Sequence, residues 1–358
     1  MSRSVVFLFL LVCQSVLAIA QELPKMAVGM NYYPGFLVAH RVDAQNLEAH
    51  IHGFQLQISK QQSVQPWASV YNKPKICMGF LYMDLGRPEL TGKAFAAMPG
   101  FETSLTNRTK SNLRMRFSTG LAYLTKKFDV YTNRHNLAIG SHVNGVMQGL
   151  LLWEHQYNNL PLQSHVGIGL THFSNGSFRI PNLGVNMPSL TFGLHYLIDQ
   201  SNEQNPIVDT LKPNKWQVHF AYGFKEQSLT NTTGFHIFNI EAVRIKRINI
   251  KRGWRFGTDF YRDRTYHFDP ASVDNSQKLG LFEQLECGLF AGHQLLISRV
   301  YFITDFGAYL YKPTSSKYGI YQRIGFNYHF NQKGYAVLAL KTHFGIADHF
   351  TWGLGYKF

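Results

Sequence analysis

The chain ends in Phe350-Thr351-Trp352-Gly353-Leu354-Gly355-Tyr356-Lys357-Phe358, and this stretch decides the fold. Its even-numbered positions are all large and apolar, whereas its odd-numbered positions up to Lys357 are small or polar. Successive side chains of a β-strand point to opposite faces of the sheet, so a strict period of two predicts a strand with one apolar face.

The same alternation recurs along the chain. In the segment 215–225, for example, Trp216, Val218 and Phe220 share one parity, and Gln217 and His219 share the other. Sixteen segments are candidate strands: 26–36, 51–59, 75–85, 93–104, 113–123, 142–157, 162–174, 189–198, 215–225, 234–246, 252–263, 280–292, 299–311, 319–330, 334–344 and 350–358. We expect some of these to merge or to lie outside the main sheet.

Composition and pattern together favour a membrane barrel over a soluble β-sandwich. Aromatic residues make up 15% of the chain and charged residues only 16%. The apolar faces are aromatic towards the strand ends, as in interfacial girdles, and the opposite faces are small or cationic, as in a lumen. The terminal Phe358 resembles the assembly signal of outer-membrane barrels. We predict an all-β, transmembrane, antiparallel up-and-down β-barrel of about 12–14 strands.

The first twenty residues have the features of a secretory signal peptide. Arg3 gives a positive start, Val5 to Val16 form an apolar run too short to span a bilayer, and Ala18-Ile19-Ala20 is a small-x-small cleavage site. We predict a signal peptide at 1–20 and one outer-membrane barrel domain at 21–358. Because an exported protein does not meet nucleic acid, the net charge of +14 points to a solvated surface or to contact with anionic lipid.

The segment Thr171-His172-Phe173-Ser174-Asn175-Gly176 carries the candidate chemistry. Residues two apart on a strand point to the same side, so the imidazole of His172 can reach the hydroxyl of Ser174. A serine becomes a nucleophile when a base removes its proton. The pair therefore predicts a Ser-His nucleophilic site.

The parity of the strand predicts which way this pair faces. His172 and Ser174 share the parity of the apolar Ile168 and Leu170, so they lie at the end of a lipid-facing stripe. Polar residues that merely end a strand at the interface would look the same. The continuation favours a site, because Asn175-Gly176 offers an amide and a closely approaching backbone. The hairpin to 189–198 would also bring Asn186 back towards His172.

With Pro181-Asn182-Leu183-Gly184 included, the segment 171–190 resembles the lipid A 3-O-deacylase (PagL) family, also called acyloxyacyl hydrolases. The resemblance implies an outer-membrane barrel with an external site, in which His172 is the base and Ser174 the nucleophile. It places the stabilisation of the oxyanion and the binding of substrate at Asn175, Gly176 and Asn182.

One position departs from that family, since Asn186 stands where its acid is found. An asparagine carbonyl can still hold the histidine tautomer, although Asp→Asn in serine proteases costs about 10⁴-fold in kcat. The triad His172, Ser174 and Asn186 is also similar to that of outer-membrane phospholipase A. That second resemblance implies a calcium-dependent homodimer.

We therefore predict a serine-type carboxylic ester hydrolase of the bacterial outer membrane that removes an ester-linked acyl chain from lipid A. No metal or cofactor is expected, except calcium if the phospholipase alternative holds. The expected partners are lipid A, lipopolysaccharide or phospholipid, with no nucleic acid and a possible homodimer. A non-catalytic, porin-like barrel with a cationic lumen is the other alternative.

Overall fold

The alternating segments form strands throughout the computed structural model, which describes residues 26–39, 42–62, 66–72, 74–198, 215–226, 234–267, 280–313 and 318–358. The described residues include sixteen strands: β1 (Met26–Leu37), β2 (Ala49–Gln61), β3 (Lys75–Asp84), β4 (Lys93–Ser104), β5 (Ser111–Leu124), β6 (Val143–Gln156), β7 (Leu162–Ser174), β8 (Val185–Leu197), β9 (Lys215–Glu226), β10 (Gly234–Arg247), β11 (Arg252–Asp263), β12 (Leu285–Ile297), β13 (Val300–Tyr311), β14 (Ile320–His329), β15 (Gly334–His343) and β16 (Ile346–Lys357). Short 3-10 helices span Val42–Leu47, Pro66–Val70, Arg264–His267 and Phe282–Gln284.

The strands close into two separate barrels of eight strands each. Within each barrel, every strand pairs antiparallel with the next strand in the chain, and one further pairing closes each sheet. β1 pairs with β8, with Met30 opposite Leu194, and β9 pairs with β16, with Phe220 opposite Leu354. Strands β1 to β8 therefore form the first barrel and strands β9 to β16 form the second.

The predicted class, an antiparallel up-and-down transmembrane β-barrel, is confirmed, but the strand number is sixteen rather than 12–14. The strands also close as two barrels rather than as the single barrel that was expected. Alternation identifies a strand by its own residues, whereas closure depends on partners more than a hundred positions away, such as Gly29 and His195. The expected signal peptide at 1–20 lies outside the described residues.

The lumen of each barrel is filled by charged side chains that pair with one another. In the first barrel Glu102 lies 3.3 Å from Lys75 Nζ and also pairs with Arg114 and Arg116. An eight-stranded interior is just wide enough for side chains to fill, so neither barrel offers the wide channel of a porin. In the second barrel the lumen is filled by Glu241, Asp259, Asp305, Arg255 and Arg323.

Three histidines line the lumens of the barrels. His165, His195 and His219 are 6%, 3% and 4% exposed on the inward faces of β7, β8 and β9. The outward positions beside them, such as Phe192 and Phe220, are half exposed. Among the described residues, none of the helices has the length and apolar character needed to cross a membrane.

The two barrels lie side by side and touch along a seam. In its middle, the ring of Phe117 on β5 lies 6.0 Å from that of Phe302 and 6.5 Å from that of Phe326. At the end of the first barrel where β2 leads into β3, the Tyr71 hydroxyl donates to the Leu296 carbonyl at 3.1 Å. At the opposite end the second barrel meets the loop 175–184 between β7 and β8, which carries the candidate site.

Candidate functional site on the outer wall of the first barrel

The structure places His172 and Ser174 on the outer wall, at the end of β7. The alternate residues Thr171 and Phe173 are fully buried towards the interior. Leu170, on the same face as His172, is 48% exposed. This orientation agrees with the parity of the sequence, and it puts the pair where a lipid, rather than a solute in the lumen, can reach it.

Asn186 lies directly opposite His172. The two residues are register partners in the β7–β8 ladder, and the His172 Nδ1 to Asn186 Oδ1 distance is 2.8 Å. Since a carbonyl oxygen can only accept, this contact favours the tautomer of the neutral ring that carries its proton on Nδ1 and leaves Nε2 as an acceptor. The end of β1 fixes Asn186 from the other side, because the Val38 N–H donates to the Asn186 carbonyl at 2.9 Å.

Asn182 holds the hydroxyl of Ser174. Its Nδ2 donates to Ser174 Oγ at 3.1 Å, and its Oδ1 accepts from the Asn175 backbone N–H at 3.0 Å. The Gly176 N–H also points at Ser174 Oγ, at 3.2 Å. Two donors thus lie beside the oxygen that would attack, next to where the oxyanion of an attacked carbonyl would develop.

The side chain of Asn175 forms its hydrogen bonds within the loop, and not at the oxyanion site where the sequence placed it. Its Nδ2 donates to Ser141 Oγ and to the Arg179 carbonyl, both at 2.9 Å, and the residue is only 5% exposed. These bonds hold the loop in shape instead of reaching the serine. The donors near Ser174 are therefore the Gly176 N–H and the Asn182 amide.

Gly184 lies against the imidazole of His172, where a side chain would collide with the ring. Its φ is 72°, in the left-handed region, and a Cβ atom there would lie 2.7 Å from His172 Cε1. We expect Gly184→Ala to displace the ring and to lower kcat by about 100-fold, the cost of a misplacement of roughly 1 Å. The measurement is kcat for the release of fatty acid from lipid A, the substrate that the sequence predicts, with folding checked by heat-modifiable mobility in gels.

A matched control for that substitution lies in the second barrel. Gly345 has a similar φ of 82°, with no heavy atom within 4 Å of its ideal Cβ position. Gly345→Ala carries the same backbone strain without touching His172, so it should leave kcat unchanged. Equal losses in the two variants would show that backbone strain, and not the position of the imidazole, causes the effect.

The second barrel holds the loop that carries Asn182. Glu226, at the end of β9, accepts the Ile180 N–H at 3.2 Å through Oε2, and its Oε1 lies 2.7 Å from Arg179 Nη1. Ser177 Oγ donates to the Ala347 carbonyl of β16 at 2.9 Å. Gly176 allows this close approach, since a Cβ there would lie 2.2 Å from the ring of Phe350. Glu226 was not predicted, because an acidic residue at a strand end has the sequence pattern of a solvated loop.

We expect Glu226→Ala to lower kcat by about 10- to 100-fold with little change in KM, because Glu226 positions the loop without touching the substrate. Glu226→Gln keeps an acceptor for the Ile180 N–H and should lose less. The control is Glu89→Ala, an exposed acidic residue in the loop between β3 and β4. A wild-type kcat in Glu226→Ala would contradict a positioning role.

One group of the described residues has the composition of a metal site, and it lies apart from the serine. Asp263, Asp348 and His349 bring their ligand atoms within 4.8 Å of one another inside the second barrel. Lys225 Nζ lies 2.7 Å from Asp263 and 2.6 Å from Asp348, so an ammonium group already pairs with both carboxylates. Cys77 and Cys287 are both free and lie in different barrels.

Comparisons with known proteins agree with this architecture. Residues 52–195 match the family described as lipid A 3-O-deacylase (PagL), and residues 214–358 match the acyloxyacyl hydrolase, C-terminal domain. The chain is thus a β-barrel protein of the bacterial outer membrane. It belongs to the lipid A 3-O-deacylase (PagL) or acyloxyacyl hydrolase family.

Similarity to solved structures is low in sequence. The outer membrane enzyme PagL is 14% identical with a TM-score of 0.33, over 46% of this chain and 97% of that one. The siderophore receptor PirA from Acinetobacter baumannii is 8% identical with a TM-score of 0.23, over 90% and 43%. A Rh. blastica porin mutant is 7% identical with a TM-score of 0.18, over 93% and 99%. The comparison with curated proteins gives no match, and none of the comparisons supports the expected homodimer.

Proposed function

We propose that this protein is a serine-type carboxylic ester hydrolase that removes an ester-linked acyl chain from lipid A at the outer wall of its first barrel. The observation that supports this most is the outward pair His172 and Ser174 with the 2.8 Å contact from His172 Nδ1 to Asn186 Oδ1. Family membership supplies the substrate class. The lipid-facing position of the pair supports an acyl ester that is itself part of a membrane.

The reaction proceeds in two halves. In the first, His172 Nε2 takes the proton of Ser174 Oγ as Oγ attacks the acyl carbonyl, and the Gly176 N–H and Asn182 Nδ2 stabilise the oxyanion. His172 then gives this proton to the leaving sugar oxygen, and an acyl-serine remains. In the second half His172 deprotonates a water molecule that attacks the acyl carbonyl, and the proton passes to Ser174 Oγ as the fatty acid leaves.

The direct test is to reconstitute the protein in vesicles that contain both lipid A and phospholipid, and to analyse both pools by mass spectrometry. We expect lipid A to lose the mass of one acyl chain, and Ser174→Ala to leave it intact. Because Asn186 is the feature shared with outer-membrane phospholipase A, lysophospholipid formed only when calcium is added would favour that alternative. No change in either pool would overturn the hydrolase proposal.

A further inference from the structure

A large groove lies between the two barrels, below the candidate site. Its volume is about 1520 Å³, and it is lined by residues of β1 to β8 in the first barrel and of β12 to β14 in the second. Pockets for small ligands typically have volumes of about 300–1,000 Å³. The groove is therefore large enough for a long, flexible ligand.

The groove lies directly next to the candidate site. Leu170 and Pro188 line it, and each lies two residues along its strand, on the same face, from His172 and Asn186 respectively. A strand rises about 3.3 Å per residue, so the groove opens roughly 7 Å from the triad. A ligand with its ester at Ser174 can place its chain there without leaving the protein surface.

Both barrels supply apolar walls to the groove. Phe117 and Ile168 line it from the first barrel, and Phe302 and Phe326 line it from the second. The rings of Phe302 and Phe326 lie 5.3 Å apart. The ring of Phe117 touches those of Phe302 and Phe326, so the two barrels meet at these residues. A ligand beside this contact meets apolar side chains of both barrels, whereas a lipid on the open wall meets those of one.

The second barrel does not repeat the catalytic pair at the equivalent place. β15 ends in Thr342-His343, followed by Phe344-Gly345, which repeats the Thr-His-Phe of β7 with glycine in place of serine. His343 points inward, is 8% exposed and contacts the Tyr309 hydroxyl at 2.9 Å. At this place the second barrel offers a wall and not another nucleophile.

We propose that this groove binds the acyl chain that is cleaved, and that the second barrel thereby selects the length of that chain. The inference rests on the proposed hydrolase function and adds a specificity site to it. Lipid tails are as apolar as the groove, so the hydrophobic effect does not favour entry. The discrimination between acyl chains of different length comes from the packing of the chain against the side chains of both barrels. This packing determines which chain fits and has little effect on the overall affinity for lipid.

The test compares variants of two phenylalanines on one strand. Phe302 lines the groove, whereas Phe306, four residues further on the same face of β13, is 68% exposed and lies outside the groove. With a mixture of lipid A molecules that differ in acyl length, Phe302→Ala should change the kcat/KM ratio of the longest to the shortest chain by about tenfold, a typical effect of small changes in an apolar pocket. Phe306→Ala should keep the wild-type ratio.

The outcomes separate this proposal from the function on which it rests. If wild-type protein does not deacylate lipid A, the proposed function fails and the chain-binding role fails with it. If wild-type protein is active and Phe302→Ala keeps the wild-type length ratio, only the groove proposal is overturned.

A second measurement does not depend on how Phe302→Ala folds. Ser174→Ala protein is irradiated with lipid A that carries a diazirine at the end of its ester-linked chain. Cross-links concentrated on Phe117, Phe302 and Phe326 support the proposal. An even spread over the outward faces of both barrels overturns it.

Discussion

Ser174→Ala is expected to lower kcat for lipid deacylation by roughly 10⁵-fold, because removal of the nucleophile of a serine hydrolase leaves only the contributions of binding and the oxyanion site. The barrel should remain intact, since Ser174 is a partly exposed residue at the end of β7. The measurement is single-turnover release of fatty acid in vesicles. Ser164→Ala is the matched control, because Ser164 lies on the same strand and face, ten residues away.

His172→Ala should cost about as much as Ser174→Ala, and the double variant should be no worse than either single one. Residues that act as one catalytic unit show this non-additivity, because the loss of either partner already disables the unit. Multiplicative losses in the double variant would mean that the two residues act independently. That result would contradict the proposed Ser-His mechanism even if both single variants were inactive.

The second large effect is expected at Asn186. Asn186→Leu keeps a side chain of similar size but removes the acceptor that lies 2.8 Å from His172 Nδ1. The ring can then take the wrong tautomer or orientation, and we expect kcat to fall by about 10²- to 10⁴-fold, the range that general base catalysis supplies. KM should change little, because Asn186 is proposed to contact the histidine and not the lipid.

Asn186→Asp is the informative partner of that variant. A carboxylate accepts the same Nδ1 proton and also stabilises the imidazolium that forms during the reaction. We therefore expect activity at or above the wild-type level in Asn186→Asp, measured as kcat under the same conditions. If Asn186→Leu retained wild-type kcat, Asn186 would not be the residue that orients His172.

Much of the fold follows from local sequence. Alternation in segments such as 162–174 and 215–225 identified the strands, and parity alone placed Leu170 and His172 on one outward face. The number of barrels could not be read in this way. It depends on the pairings of Met30 with Leu194 and of Phe220 with Leu354, and alternation is equally compatible with one large barrel or two small ones.

Local sequence likewise predicts one part of the candidate site and not the other. His172 and Ser174 are visible as a local motif, and Asn186 is brought near by a single hairpin. The use of the Asn175 side chain within the loop depends on Ser141, 34 positions away. The support from Glu226 and Ala347 depends on the second barrel. Contacts of this kind arise from packing between distant segments, for which residue spacing carries no signal.

The hydrogen bonds from the loop 175–184 to the second barrel have a consequence for biogenesis. Ile180 and its partner Glu226 are separated by 46 positions, and Ser177 and Ala347 by 170. The first barrel on its own lacks these partners, and the last of them belongs to the final hairpin of the chain. If the proposed hydrolase function holds, we expect full activity only after both barrels have been inserted, so that an incompletely assembled chain spares the lipids of the membrane that it is entering.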